Sequence, residues 1–231
     1  MTTCVIMQPS FIPWAGFFNL IHQADCFVFL DDVQYQKRSW QVRNRILLNG
    51  EEQLMTLPIE KCSSHTPINE VRLSTLPRWR EKQAITLQRA YAKLPFAHQV
   101  LPIIDAIYST ETMELSRFNM NAIRLISQQL DLETHFFVSS QLNCSGKRSE
   151  HLAQICNALS ATEYLSPVGS KTYLLEDQFE ENSGLKLRFQ NFEPAEYSQH
   201  KRNDFLSHLS ILDVIAHLGL EQSRLYCTEQ S

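Results

Sequence analysis

The chain reads as α/β, a parallel-containing sheet with flanking helices and a helical insert or subdomain, on three observations. Residues 4–7 and 26–30 are short apolar runs. The segment between them repeats Phe17, Phe18, Leu20, Ile21 and Ala24 at helical spacing. Further strand-like runs at residues 134–138, 163–165 and 185–189 are interleaved with helical patterns. Two apolar strands joined by a helical crossover make a βαβ unit, whose strands are parallel neighbours in one sheet.

Taken in order, Pro9 and Pro13 bracket the first turn, because neither fits inside a helix, and Gly16 permits close backbone approach where the helix starts. The first amides of that helix point back at the end of the first strand, a place able to hold an anion. Residues 46–51 read as a strand closed by Asn49-Gly50, with residues 53–59 as its partner, because Asn-Gly between apolar runs is the strongest short hairpin signal. This hairpin is expected to extend the parallel unit. A Ser-, His- and Pro-containing loop follows over residues 62–69, then one more short strand at 71–73.

Pro77 opens a helical stretch over residues 77–132, with helices at 78–93, 96–108 and 115–130. It is expected to be a lid or subdomain within a single domain of residues 1–231. Gly146-Lys147-Arg148-Ser149 precedes a helix at 150–159 and lacks the upstream glycine of a P-loop, so Ser and Glu there read as capping residues. Residues 163–165 deliver a second polar glycine loop, Ser166 to Tyr173. The tail forms a helix through Leu209, Ile211, Leu212, Val214, Ile215 and Leu218, stopped at Gly219.

With 43% hydrophobic and 20% charged residues, the 231-residue chain can bury a full core. A formal charge of −4 removes the global basic field that nucleic acid or an anionic membrane would require. The N-terminal apolar run is too short for a secretory signal, and no uncharged run of about 18 residues exists, so a cytoplasmic protein without membrane insertion is expected. Six cysteines without a C-x-x-C pair argue against a metal site or disulfide framework, and four of them have the surroundings of buried thiols.

Ligands in parallel sheets sit beyond the carboxyl ends of the strands. Gln8 and Trp14 leave the first strand there, Asp31 and Asp32 the second, and Ser170 and Lys171 follow the strand at 163–165. One cleft is therefore expected, lined by Gln8, Trp14, Asp31, Asp32, Tyr35, Arg38, Arg43 and Ser170. Two adjacent carboxylates cannot both face a core, so at least one of Asp31 and Asp32 should project into that cleft as a catalytic group. Lys37, Arg38, Arg43 and Arg45 follow, with Tyr35 and Trp40 interleaved. Guanidinium groups suit phosphate or carboxylate, and aromatic rings give a base or sugar a stacking face. His22, His98, His135, His151 and His217 lack metal spacing and read as structural, and Asp213 reads as structural or bonded to a neighbouring loop.

The blocks Gln8-Pro9 with Pro13-Trp14-Ala15-Gly16-Phe17-Phe18, Phe29-Leu30-Asp31-Asp32-Val33-Gln34-Tyr35, and Lys37-Arg38-Ser39-Trp40-Gln41 with Arg43-Asn44-Arg45 resemble the WbqC-like family. So do Tyr164-Leu165-Ser166 leading to Ser170-Lys171-Thr172-Tyr173, Tyr197-Ser198-Gln199, and Leu209-Ser210-Ile211-Leu212-Asp213. Val168 stands where that pattern leads one to expect glycine. The resemblance implies a bacterial, cytoplasmic transferase acting on a nucleotide-linked amino sugar in surface polysaccharide or O-antigen biosynthesis, by acyl or aminoacyl transfer. Its partner would be a nucleotide sugar or another phosphorylated small molecule. Asp31 or Asp32 would deprotonate the amine or hold magnesium; Arg38, Arg43, Arg45 and Lys171, with Lys37 and Asn44 in the same block, would bind phosphates. A non-catalytic sugar-nucleotide or protein binding module is the alternative. Residues 7–18 are also similar in layout to the first strand, turn and helix of nucleotidyltransferase-like, adenylate-forming enzymes, although Trp14-Ala15-Gly16-Phe17 lacks both histidines of their signature.

Overall fold

The computed structural model describes residues 1–63 and 65–229; Ser64, in the loop expected at 62–69, lies outside the described residues. The strands are β1 (Thr3–Met7), β2 (Cys26–Phe29), β3 (Arg43–Leu48), β4 (Glu51–Thr56), β5 (His135–Val138), β6 (Glu163–Ser166) and β7 (Lys186–Phe189). Five of them form one sheet in the order β5-β2-β1-β6-β7, and every pairing in it is parallel.

The helices are α1 (Ala15–His22), α2 (Trp79–Tyr91), α3 (Ala97–Tyr108), α4 (Leu115–Gln129), α5 (Ser149–Ala158), α6 (Lys171–Glu176), α7 (Phe179–Ser183) and α8 (Ile211–Thr228). Side chains alternate across a strand, so each sheet face receives its own apolar set. Val5, Phe27, Phe29 and Leu165 join the core with α1, α2, α3, α4 and α8. Cys4, Ile6, Cys26, Val28 and Tyr164 face the smaller core with α5, α6 and α7. The chain therefore winds outward from β1 on one face and from β6 on the other. Where β1 and β6 lie side by side, their connections diverge and leave a crevice at the strands' carboxyl ends.

Several expectations need correction. The hairpin starts at Arg43, and β3 and β4 form a two-stranded sheet of their own rather than extending the parallel one. Its turn is Asn49-Gly50, both at positive φ as a tight hairpin requires. Residues 71–73 make isolated bridges rather than a strand. The helices of residues 77–132 share the main core with the sheet. At Gly219 the last helix kinks, with φ 80 and ψ 168, and then resumes to Thr228. A Cβ there would lie 2.7 Å from the Phe96 ring. Ser149 does not cap α5 with its side chain; its hydroxyl donates to Asp177 at 2.6 Å, and Arg148 pairs with the same carboxylate. Among the described residues no helix is long and apolar enough to cross a membrane.

Candidate functional site

Residues 8–14, leaving β1, are held in place by buried polar side chains. Asn119 Nδ2, on α4, donates to the carbonyls of Pro9 and Gln41 at 2.9 and 2.8 Å. Asn44 Nδ2 donates to the carbonyls of Phe11 and Ile12. The Ser210 hydroxyl, at the start of α8, donates to Ile12 O at 2.9 Å. Ile12 has φ 40, a left-handed conformation that a β-branched residue adopts only when its surroundings impose it. The turn is thus built to a fixed shape by residues remote from it in sequence.

Two adjoining pockets open beside this turn. The larger, about 500 Å³, lies at the crevice between β1 and β6, lined by Gln8 and Ser10 on one side and Pro167, Gly169, Ser170 and Tyr173 on the other. Gln36, Ser39, Trp40 and Gln41 complete its polar wall, and no charged side chain lines it. Gln41 is 1% exposed; its Nε2 donates to Gln8 Oε1 at 2.7 Å, while its own Oε1 is buried without a partner. An unmatched buried acceptor costs about 1–3 kcal/mol, and with Oε1 buried a donor from a ligand would reach it only after the side chain shifts.

The smaller pocket, about 320 Å³, shares Met7, Ser10 and Trp40 with the larger and adds Phe11, Trp14, Phe17, Arg43, Asn44, Arg45 and His208. Trp14 stacks on His208 with centroids 4.3 Å apart. The indole also covers the first turn of α1: a Cβ on Gly16 would fall 2.2 Å from its ring. The anion expected at that helix start would meet this ring. Arg45 is committed to the Ser207 and His208 carbonyls and to Glu52. Arg43 has no carboxylate partner among the described residues, and its Nε is buried without a hydrogen bond. Burial, then Arg45's charge, lowers the pKa of His208.

The two adjacent carboxylates divide their work. Asp31 is 3% exposed and accepts from Ser140 N and Ser140 Oγ at 3.1 and 3.0 Å, latching the end of β2 to the turn after β5. Asp32 is the partly exposed one. It accepts from Ser139 Oγ at 2.6 Å and lies 3.3 Å from His151 Nε2. His151 Nδ1 contacts the Ser145 carbonyl at 3.0 Å, so both ring nitrogens face acceptors. Neither aspartate lines either of these two pockets, although Leu30 and Leu152, close neighbours of this cluster in the chain, line the larger one. Among the described residues no group of three or more His, Cys, Asp and Glu side chains is gathered as a metal would need.

Gln8, Trp40 and Ser170 thus line the larger pocket, and Trp14, Trp40, Arg43, Asn44 and Arg45 the smaller. Asp31, Asp32, Tyr35, Lys37, Arg38 and Lys171 line neither, and in place of the single cleft expected around Gln8, Trp14, Asp31, Asp32, Tyr35, Arg38, Arg43 and Ser170 there is a pair of pockets with a shared wall. Tyr35, expected to stack on a ligand, is 3% exposed within the core; burial raises its phenol pKa, Cys62 adds to that, and Arg43 opposes it. Lys37 and Arg38 are exposed. Lys171 is exposed too, its Nζ 5.7 Å from the Phe189 ring. Sequence reasoning missed Gln41 as a lining group, although it lies inside the block around Trp40. It also missed Asn119, Ser139 and His151, for which the local sequence carries no signal.

Compared with known proteins, the chain matches the WbqC-like protein family over residues 8–225. It is 30% identical over 225 residues to a protein of Mycobacterium tuberculosis described as "Uncharacterized protein Rv1507c", covering 96% of each chain. No solved structure matches the chain.

Proposed function

The chain belongs to the WbqC-like protein family, and from that premise we propose that it is a cytoplasmic transferase acting on a nucleotide-linked amino sugar in surface polysaccharide or O-antigen synthesis. The observation that carries the reading is the neutral pocket at the crevice between β1 and β6, lined among others by Gln41, whose buried Oε1 has no partner among the described residues. Amides, hydroxyls and one indole face match a sugar ring, which is polar at its edge and apolar on its faces.

In the concrete form of the proposal, the sugar's amine attacks the acyl carbon of an activated donor, a thioester or ester. A C–N bond forms, and the bond from the acyl carbon to sulfur or oxygen breaks with its electron pair on the leaving group. The surplus proton of the nitrogen passes by way of a water to Asp32, which lies outside the pocket lining and which Ser139 and His151 orient. Gln41 accepts from the amine or a neighbouring hydroxyl and fixes its direction.

The binding-module alternative draws support from one observation, that Asp32 stands outside both pocket linings. Incubation with nucleotide-linked amino sugars and acyl thioesters, followed by mass spectrometry, separates the two. The transferase reading expects a sugar gaining one acyl mass, lost in Asp32→Asn while binding persists. Ligand binding without product in the wild type would leave the binding module. If no nucleotide-linked sugar raises the melting temperature, the transferase and the sugar-nucleotide binding module both fail, since a ligand at about 100 times its dissociation constant adds roughly 2.7 kcal/mol of stability.

A further inference from the structure

The two pockets differ in charge, and that difference carries information about the ligand. The larger has no charged lining residue and offers nothing to neutralise a phosphate. The smaller is lined by Arg43 and Arg45, with no carboxylate in its wall. Arg45 already has carbonyl and carboxylate partners. Arg43 keeps its guanidinium uncommitted, with a buried Nε that no described residue satisfies. A planar fork of donors of this kind pairs with two oxygens of one anion.

Beside it stands Trp40, 57% exposed and with no ring contact to any other described aromatic residue. An indole of that size left open on a rim offers a stacking face for a flat ligand. The apolar floor comes from Phe11 and Phe17. A free cation, an open indole and an apolar floor in about 320 Å³ suit a flat ring joined to an anion.

We infer that the smaller pocket is a nucleoside-phosphate site, with Arg43 as counter-ion to the phosphate and Trp40 as the boundary between the nucleotide and whatever it carries. The inference rests on the proposed function only for the sugar half, which would cross Met7, Ser10 and Trp40 into the neutral pocket. The nucleotide half stands on the geometry of Arg43 and the aromatic residues alone.

The test uses nucleoside monophosphates of the four common bases, the matching nucleosides and inorganic phosphate, read by tryptophan fluorescence and by melting temperature. The proteins are the wild type, Arg43→Gln, Arg43→Lys and Ser170→Trp, the last of which obstructs the neutral pocket. At least one monophosphate is expected to bind wild type and Ser170→Trp equally, and its nucleoside roughly tenfold more weakly or worse. Arg43→Gln should lose about tenfold or more with its unliganded melting temperature unchanged. Arg43→Lys, which keeps charge without the planar fork, should fall between and remains informative if the glutamine variant does not fold. Monophosphate binding unchanged in both Arg43 variants, abolished by Ser170→Trp, or absent from the wild type overturns the inference. Monophosphate binding as expected, with no turnover of any nucleotide-linked sugar, would defeat the transferase reading and leave this site standing. Turnover by a protein indifferent to every monophosphate would do the reverse.

Discussion

The turn leaving β1 and the loop leaving β6 face each other across the neutral pocket, and they are made in opposite ways. Residues 8–14 are largely buried and tied by Asn44, Asn119 and Ser210, with Ile12 kept at positive φ. Residues 167–170 are held by local bonds, from Ser170 N and Ser166 Oγ to the Pro167 carbonyl and from Lys171 N to the Val168 carbonyl; Val168 is 58% exposed, and a Cβ on Gly169 would meet nothing within 4 Å. One wall is thus fixed by ties from distant elements, and the other is tied only to its own neighbours. Preorganised donors and acceptors discriminate best when they cannot move, whereas closure needs a segment with little to lose.

Removing a tie from the rigid wall should do the greatest damage. Asn119→Ala leaves the buried Pro9 and Gln41 carbonyls without their donor, at about 1–3 kcal/mol for each group, so urea unfolding should show a loss of roughly 3 kcal/mol. A loss below about 1 kcal/mol, less than one unsatisfied group costs, would mean that the wall is not held as described. The same kind of change in the slack wall should have the opposite sign. Gly169→Ala adds a methyl into open space at an ordinary backbone angle, and should stabilise by about 0.4–1 kcal/mol through the unfolded chain. Destabilisation in the same unfolding assay would show that this loop is packed after all.

The smallest effect concerns His208, stacked on Trp14 at the edge of the rigid side. Its folded pKa lies below the ordinary 6.5, through burial and then Arg45, so the unfolded chain binds more protons there. Its contribution is absent above about pH 6.5 and becomes a loss of stability as pH falls from there through the lowered value. His208→Phe keeps an aromatic ring and should flatten that part of the slope slightly, since the residue is exposed and solvent screens it. Melting temperatures of both proteins between pH 7 and 5 measure the difference, and parallel curves would contradict it.

Much of the fold was legible because it is written in local periodicity. The apolar runs of β1 and β2 and the helical repeat between them give the βαβ unit, and Asn49-Gly50 gives the hairpin. The start of that hairpin was not legible. Arg43-Asn44-Arg45 carries no strand pattern, and only its pairing with Thr56, Met55 and Leu54 makes it a strand. Asp31-Asp32 announces itself as a pair, yet which carboxylate is buried depends on Ser139 and Ser140, more than a hundred residues away. The same holds for His151, whose place beside Asp32 follows from α5 packing on the far side of the sheet from α1. Gly219 reads as a stop, but the Phe96 ring that excludes a side chain there lies on another element.

The most direct test of the account is a calorimetric titration of nucleotide-linked amino sugars into wild type and Gln41→Leu, with the melting temperature of each unliganded protein alongside. Among the described residues Gln41 has a buried oxygen with no partner, a cost that apolar replacement relieves, while the same replacement takes from Gln8 Oε1 its Nε2 donor. The account predicts a melting temperature lowered by no more than the loss of that one part-buried hydrogen bond, about 0.5–1.5 kcal/mol, together with affinity reduced by about tenfold or more. Equal affinity in the two proteins, or no binding of any nucleotide-linked sugar to the wild type, would contradict it.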